Sequence, residues 1–352
     1  MTGAERIRTA LRRGTPDRVP TFEWFLDASV CQTLTGTPDP VDAACRLDLD
    51  GINVRPDYRR RAIDAATFVD EWGVTRAETG DSLPCVVASP LHEDARPEEI
   101  GFPDPEASHR FATLERALRA ADGRRAVVLN LRDGFSDLRD LLGYETALMQ
   151  LALAPAAFTA LLARVVDYNL ALARVAVRRY GIEIIATTDD VANGKGLLIS
   201  PAMYFDAVAP AFRRAVQGFK DLGCLVVKHS DGDVRSLVDF WIESGIDGLD
   251  PIDPRGGMDL GAMKAAYGDR ICLKGNVDCA GVLQGGTEAE VADAVRACLR
   301  RGGRSGYILS SSNTIHRGVR PANYRAMLET LRQEGWRDVH GASAAPACAT
   351  PP

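Results

Sequence analysis

Residues 228–233 place one histidine and two carboxylates directly after an apolar run. The segment reads Lys-His-Ser-Asp-Gly-Asp and follows residues 224–227, which predicts a buried strand that ends in polar groups. His229 and Asp231 are two residues apart, so they share one face if the strand continues. That spacing could place an imidazole and a carboxylate on one substrate atom or on one metal ion. Asp233 precedes a predicted helix and is typical of an N-cap.

Four other β-rich runs end in polar residues in the same way. They span residues 184–190, 246–253, 271–278 and 307–316. Asp189 and Asp190 are adjacent, so only one of them can face the centre of a sheet at that point, and we predict that one is catalytic and the other a cap or a loop anchor. The predicted substrate contacts are Asp231, Asn276, Asp278, Asn313 and His316. Asp278 is alternatively a cap, and His316 is alternatively a surface residue beside Arg317.

These strand ends need a scaffold that brings them together, and an alternation of strands and helices provides one. Strand centres are predicted near residues 128, 185, 227, 248, 273 and 308. Helices are predicted from Ser200 and Pro201, from the capping box of Thr287 with Glu290, and from Pro321. Such an alternation predicts a parallel sheet covered by helices, which is an α/β fold.

A closed (β/α)8 TIM barrel is the predicted form of that fold. Early runs at residues 19–25 and 51–54 complete eight strands. No glycine-rich phosphate-binding turn follows the first strand, although an open doubly wound sheet usually has one. The barrel is predicted as one domain over residues 1–338, with residues 82–107 in an extension over its mouth and residues 339–352 as a disordered tail.

Composition and charge narrow the function classes. The 352 residues are 46% hydrophobic and 26% charged, with a net charge of −6 and no basic stripe, so we expect a small-molecule substrate and no nucleic acid. The eight cysteines are scattered and are predicted to be reduced thiols. Residues 148–166 are apolar but interrupted by polar residues and a proline, which favours a buried helical hairpin over a membrane span. A cytoplasmic protein is predicted.

Several catalytic motifs are absent from the sequence. There is no Gly-x-Ser-x-Gly elbow, no phosphate-binding Gly-Lys-Ser/Thr loop and no His-Glu-x-x-His zinc helix. Strand ends rich in carboxylate, histidine and amide groups instead favour proton delivery or metal binding.

A family resemblance runs through the same segments. Its marks are Asp189-Asp190 leading to residues 200–204, residues 228–233, Gly257-Met258-Asp259 with Lys264, residues 275–278 and residues 321–324. Together they resemble the uroporphyrinogen decarboxylase superfamily, and within it the bacterial branch near the corrinoid-dependent methyltransferases. The resemblance covers about residues 127–336 and implies a (β/α)8 barrel with its active site at the carboxyl ends of the strands.

The resemblance implies two alternative chemistries. The decarboxylases of the superfamily use no cofactor and rely on an Asp in the cleft, for which Asp64 or Asp70 is the match here. The methyltransferases transfer methyl groups between corrinoids and thiols, with zinc held by a His and two Cys. His229 matches the zinc His, but Asp231 stands in place of the first Cys and residues 310–313 in place of the second.

The leading hypothesis is a cofactor-free decarboxylase of a carboxylated small molecule that need not be a porphyrinogen. In it, His229 and one of Asp189 or Asp190 handle the proton, while Asn276 and Asn313 orient the substrate. The alternative is a corrinoid-linked methyltransferase or demethylase with His229 and Asp231 on a divalent metal such as zinc, a corrinoid cofactor, and a corrinoid protein as partner. A homodimer is a further expectation from the resemblance. A barrel that only binds or regulates is the third reading.

Overall fold

The structure, a computed structural model, describes residues 1–335, and the predicted disordered tail at 339–352 lies outside them. Seven parallel strands form the main sheet in the order β1-β6-β7-β10-β11-β12-β13. Four short strands, β2 to β5, form a separate antiparallel sheet, and β8 pairs with β9. In chain order the strands of the described residues are β1 (Gly51–Val54), β2 (Arg60–Ala62), β3 (Thr67–Asp70), β4 (Thr75–Ala77), β5 (Cys85–Ala88), β6 (Ala126–Leu131), β7 (Ile184–Thr188), β8 (Ala192–Asn193), β9 (Gly196–Leu197), β10 (Leu225–His229), β11 (Gly248–Asp250), β12 (Cys272–Val277) and β13 (Tyr307–Ser311).

Residues 20–26 occupy the eighth position and join the two edges of the main sheet. Thr21 forms a parallel bridge with Leu309 of β13, and its carbonyl accepts a hydrogen bond from the Asp50 N–H just before β1. The predicted TIM barrel is confirmed, with one wall made of an irregular segment in place of a regular strand. All six strand centres predicted from residue 128 to residue 308 fall inside observed strands.

Helices cover the outside of the barrel. Ser200 and Thr287 cap their helices as predicted, and Glu290 completes the capping box. The described helices are Gly3–Leu11, Ala28–Thr35, Pro40–Arg46, Ala112–Ala121, Phe135–Leu142, Tyr144–Leu153, Pro155–Tyr180, Pro201–Met203, Ala209–Asp221, Val238–Ser244, Leu260–Tyr267, Val282–Gly285, Glu288–Gly302 and Pro321–Glu334, with a π-helical turn at Tyr204–Val208 and 3-10 turns at Pro97–Glu99, Ser108–Phe111 and Arg235–Leu237.

Two apolar cores follow from strand alternation. Residues such as Val128, Ala186 and Val227 point into the barrel, where the N-terminal helix packs with Ile7 and Leu11. Their sequence neighbours point outward and pack against the helices in a larger core. The barrel interior is therefore filled with side chains, and only the carboxyl ends of the strands remain for chemistry.

The predicted extension over the mouth begins earlier in the chain than expected. The antiparallel sheet of β2 to β5 starts at Arg60, and its residues line a cleft together with residues that follow β1 and β6. The sequence showed only the proline-rich, acidic part after residue 82. Its strands are three or four residues long, too short for periodicity to reveal them.

The helix Pro155–Tyr180 meets the length and hydropathy of a membrane span, but 56% of its most apolar window is buried inside the protein. It forms the second arm of the predicted helical hairpin, after Tyr144–Leu153. Burial inside the protein is also typical of a core helix, which meets the same criteria of length and hydropathy.

Glu23 ties the irregular eighth segment to β13. Its carboxylate accepts hydrogen bonds from the Ser311 N–H and, at 2.6 Å, from the Ser311 hydroxyl. Burial raises the pKa of Glu23 to about 7, against the opposing effects of the Lys274 charge and of these hydrogen bonds. The folded protein therefore holds a proton here that the unfolded chain has already released near pH 4.5.

We expect the free energy of unfolding of the wild type to fall relative to that of Glu23→Gln as the pH rises from about 5 to about 8. The unfolded chain has already released the proton of Glu23, whereas the folded protein must release it in this range and keep a charged carboxylate buried. The difference between the free energies of unfolding of the two proteins should change by about 2 to 3 kcal/mol over this range. Urea unfolding at several pH values measures it. Glu243→Gln, at an exposed position, is the control and should show no such trend. A constant difference between wild type and Glu23→Gln across this range would contradict the expectation.

Candidate active site at the barrel mouth

Strand register places three polar residues side by side at the mouth. Thr188 ends β7, His229 ends β10 and Asp250 ends β11, and the three are direct partners in the parallel pairing. Neighbouring strands lie about 4.8 Å apart, so side chains on the same face of such a row meet. His229 thus lies between a hydroxyl on one side and a carboxylate on the other.

His229 is fixed from two directions. Its Nδ1 lies 2.5 Å from an Asp250 carboxylate oxygen, and the Trp24 ring stacks on the imidazole with centroids 4.4 Å apart. Asp250 also accepts a hydrogen bond of 2.7 Å from Lys274 Nζ. Burial lowers the pKa of His229, but the hydrogen bond and charge of Asp250, aided by Asp231, outweigh it and leave the pKa raised. The contact with Asp250 leaves Nε2 as the reactive nitrogen.

Nε2 of His229 faces two further carboxylates. It lies 3.5 Å from Asp231 Oδ1 and 3.8 Å from Asp190 Oδ1. One ligand atom from each of these three residues lies within 4.8 Å of the others. The Asp231 N–H donates to Asp190, and Asn313 Nδ2 donates to the other oxygen of Asp231. We call Asp190, His229 and Asp231 the mouth triad.

The mouth triad fits a divalent metal ion. Asp231 Oδ1 is buried and has no hydrogen-bond partner among the described residues, so it has an unfilled acceptor that faces the imidazole. Burial and the charges of Asp190 and Asp253 raise the pKa of Asp231 to about 7, against the opposing effect of His229. Three N and O ligands with an open fourth position are typical of catalytic zinc sites, and manganese or iron accept the same donors.

Five of the predicted site residues lie outside the mouth triad, and among the described residues only Asn313 of these five hydrogen-bonds to it. Asp189 is fully buried and accepts hydrogen bonds from the N–H groups of Phe135 and Ser136, so it caps the helix Phe135–Leu142. Asp190 lies at the mouth, so the two adjacent aspartates have different surroundings, and a catalytic role for either stays a prediction. His316 Nδ1 accepts from the Gly318 N–H in its own turn.

Asn276 and Asp278 also make structural contacts. Asn276 donates to the Ile252 carbonyl and lies 3.4 Å from the Cys298 sulfur, which belongs to the outer helix Glu288–Gly302. Gly275 precedes it with a φ of +129°, so the alternation of the strand does not continue to Asn276. Asp278 accepts from the Arg255 side chain and from the N–H groups of its own turn.

A cleft of about 560 Å³ opens beside the mouth triad. Its walls include Arg55, Asn130 and Thr188 from the barrel and Trp72 from the antiparallel sheet. Because Thr188 is the strand neighbour of His229, the cleft and the mouth triad adjoin. We call this space the arginine cleft.

Sequence reasoning missed several of these residues. Asp250 lies in the polar end of the predicted run at residues 246–253, and that position is the only feature of the sequence that points to a functional role for it. Arg55 follows the run at residues 51–54 directly, so the same strand-end rule could have found it. The strand-end rule does not identify Lys274 or Trp24, because both lie within apolar runs.

Comparisons with known proteins agree with this geometry. Residues 62–334 match the family model described as Uroporphyrinogen decarboxylase (URO-D). A methylated-thiol–coenzyme M methyltransferase of Methanosarcina mazei is 23% identical over 244 residues, which are 67% of this chain and 62% of that protein, so less than two thirds of the relative is matched. A uroporphyrinogen decarboxylase of Chlorobium luteolum is 32% identical over 90 residues, 25% of each chain.

A solved structure shows the same fold. It is a methyltransferase from Methanosarcina mazei, with a TM-score of 0.75 over 95% of this chain and 99% of that one. At 16% identity, the likeness concerns the fold alone.

We expect Asp250→Asn to lower the pKa of His229, because the imidazolium loses its buried counter-charge. NMR titration of the metal-free protein measures this. Asp233→Asn is the control, since Asp233 pairs only with Arg235, and it should leave His229 unchanged. The double variant Asp250→Asn with Lys274→Met avoids an unpaired buried lysine and should show the same lowered pKa. An unchanged His229 pKa in a folded double variant would contradict the expected role of Asp250.

Proposed function

The chain belongs to the uroporphyrinogen decarboxylase family, and from that premise we propose that it is a metal-dependent methyltransferase that methylates a thiol. The observation that carries the proposal is the mouth triad, in which His229 Nε2 faces two carboxylate oxygens while Asp250 holds Nδ1. A metal-bound histidine usually donates its second ring N–H to a carboxylate in this way.

The residues of the mouth triad have distinct roles in the proposal. His229, Asp190 and Asp231 would hold a divalent metal, which would supply a Lewis acid that lowers the pKa of a thiol. Asn313 orients Asp231 through its hydrogen bond, and Trp24 holds the plane of the imidazole. Trp24 also covers one face of His229, which keeps water from that side of the ring.

The reaction is a nucleophilic displacement at a methyl carbon. The thiol loses its proton to solvent, a sulfur–carbon bond forms, and the bond between the methyl group and its donor breaks with both electrons left on the donor. We propose a methylated corrinoid, carried by a partner protein, as the donor. The relative from Methanosarcina mazei is named for methylated thiols and coenzyme M, which supports a thiol as the methyl acceptor.

Decarboxylation is the second candidate function. The observation in its favour is the acidic group at the mouth: Asp231, whose pKa burial raises to about 7, could deliver a proton beside His229 without any metal. Under that reading Asp190 is the second acid–base group, and Asp189 keeps its structural position. The two candidates differ in whether the mouth triad holds a metal.

We expect natively purified protein to contain about one divalent metal ion per chain, and His229→Ala to lose it together with the activity. Elemental mass spectrometry measures the metal, and methyl transfer from methylcobalamin to 2-mercaptoethanesulfonate measures the activity. The rate should fall about a hundredfold or more, because the Lewis acid contributes several kcal/mol.

His316→Ala is the matched control and should keep both metal and rate, because among the described residues His316 hydrogen-bonds only within its own turn. Asp189→Asn should lower stability without removing metal, since Asp189 contacts two backbone N–H groups and not the mouth triad. Metal-free wild type that releases CO2 from a carboxylated substrate would instead support decarboxylation and refute the metal-dependent proposal.

A further inference from the structure

We propose that the arginine cleft binds a small monocarboxylate with an apolar or aromatic body, held by Arg55 and Asn130 beside the mouth triad. Ligand pockets of this size usually combine apolar walls with a few placed polar groups. The assignment of this carboxylate as a reactant rests on the proposed function. The binding site itself rests on the contacts described below.

Arg55 is a cation that lines the cleft. It makes no hydrogen bond or ion pair with any residue from 1 to 335, whereas Arg76 and Arg132 in the same cleft pair with aspartates. Protein surrounds it on the sides of the cleft, while the open side leaves it exposed to solvent. A guanidinium in such a place offers a two-pronged donor that matches a carboxylate.

The other arginines are already engaged, which leaves Arg55 as the anchor. Arg76 contacts Asp70 at 2.8 Å and Asp140 at 3.0 Å, and Arg132 contacts Asp140 at 3.0 Å. Arg132 also contacts Asp137 at 3.2 Å, so each of these two arginines pairs with two carboxylates. An incoming anion would have to break these pairs to reach Arg76 or Arg132, but it can reach Arg55 directly.

Asn130 provides a second, independent sign of a ligand. Its side chain lines the cleft at the end of β6 and is only 3% exposed. Its Oδ1 accepts a hydrogen bond of 2.6 Å from Thr188, but Nδ2 has no partner among the described residues. An unpaired buried donor costs free energy, and a carboxylate oxygen would satisfy it.

The opposite wall is aromatic and preorganised. Trp72 and Phe68 face the cleft from the antiparallel sheet, and Phe25 closes it from the eighth segment. Trp72 is held edge-to-face against Tyr168 with centroids 4.7 Å apart, so this wall does not have to order when a ligand arrives. A ligand with only an acidic group would leave this wall in water.

The site lies next to the reacting group. Thr188, which donates to Asn130, is the strand neighbour of His229. A molecule whose carboxylate contacts Arg55 and Asn130 therefore extends toward the mouth triad with its far end. Under the proposed function, that end carries the sulfur or the methyl group that reacts.

Calorimetry with benzoate tests the site on the full-length, metal-loaded protein. We expect benzoate to bind the wild type with a Kd below about 10 mM and benzamide, its neutral analogue, to bind at least about tenfold more weakly. Acetate should also be weaker, since it lacks the apolar body. Benzoate that fails to bind, or that binds no better than benzamide or acetate, overturns the proposal. Benzenesulfonate that binds more tightly than benzoate overturns the choice of a carboxylate.

Two variants locate the site. Arg55→Gln and Asn130→Asp should each weaken benzoate binding by about tenfold to a hundredfold, because each removes a donor to a charged group. Arg61→Gln is the matched control: Arg61 is an exposed arginine on β2 that does not line the cleft. Benzoate binding that is unchanged in Arg55→Gln, or equally weakened in Arg61→Gln, overturns the proposal.

Metal content measured on the same samples separates this site from the proposed function. Arg55→Gln should retain the metal, because Arg55 is not part of the mouth triad. If benzoate binds through Arg55 but the wild type holds no metal, the proposed carboxylate site is supported and the methyltransferase proposal fails. If metal and methyl transfer are present but Arg55→Gln binds benzoate normally, the cleft proposal fails alone.

Discussion

The Asp250 carboxylate accepts hydrogen bonds from His229 Nδ1 at 2.5 Å and from Lys274 Nζ at 2.7 Å, and all three side chains are buried. Each partner depends on the others, because Lys274 offsets the charge of Asp250 and Asp250 orients the imidazole. Removing one partner of a buried pair typically costs about 3 to 5 kcal/mol, since a charge is left uncompensated. The direction of Nε2, and with it the chemistry at the mouth, therefore depends on an ion pair inside the barrel.

Strand register transmits that constraint to the rest of the site. Thr188, His229 and Asp250 are aligned across three parallel strands, so the position of each follows from the others. Thr188, at one end of this row, donates a hydrogen bond to Asn130, which lines the arginine cleft. A slip of one residue would turn all of these side chains to the other face. His229 and the arginine cleft are thus aligned by the backbone pairing of the strands.

This dependence on register also explains which features the sequence could predict. Apolar runs with polar ends predict the strands, and so they identify His229, Asp190 and Asp231 as neighbours at one end of a barrel. The partners of a side chain are set by strands far away in the chain, and no local pattern carries that pairing. The role of Asp250 was therefore missed, and the break in alternation at Gly275, which turns Asn276 toward an outer helix, was not visible either.

In the proposed metal site, a proton and a metal ion would compete for the same oxygen and nitrogen atoms of the mouth triad. Burial and neighbouring carboxylates raise the pKa of Asp231 to about 7, so a proton can relieve the repulsion between Asp190 and Asp231. A divalent cation relieves the same repulsion and needs both carboxylates ionised and Nε2 of His229 unprotonated. The relatives of this chain include both a decarboxylase and a methyltransferase. Under the two proposed functions, the cation that neutralises the mouth triad decides between acid–base and Lewis-acid chemistry: a proton would favour the first and a metal ion the second.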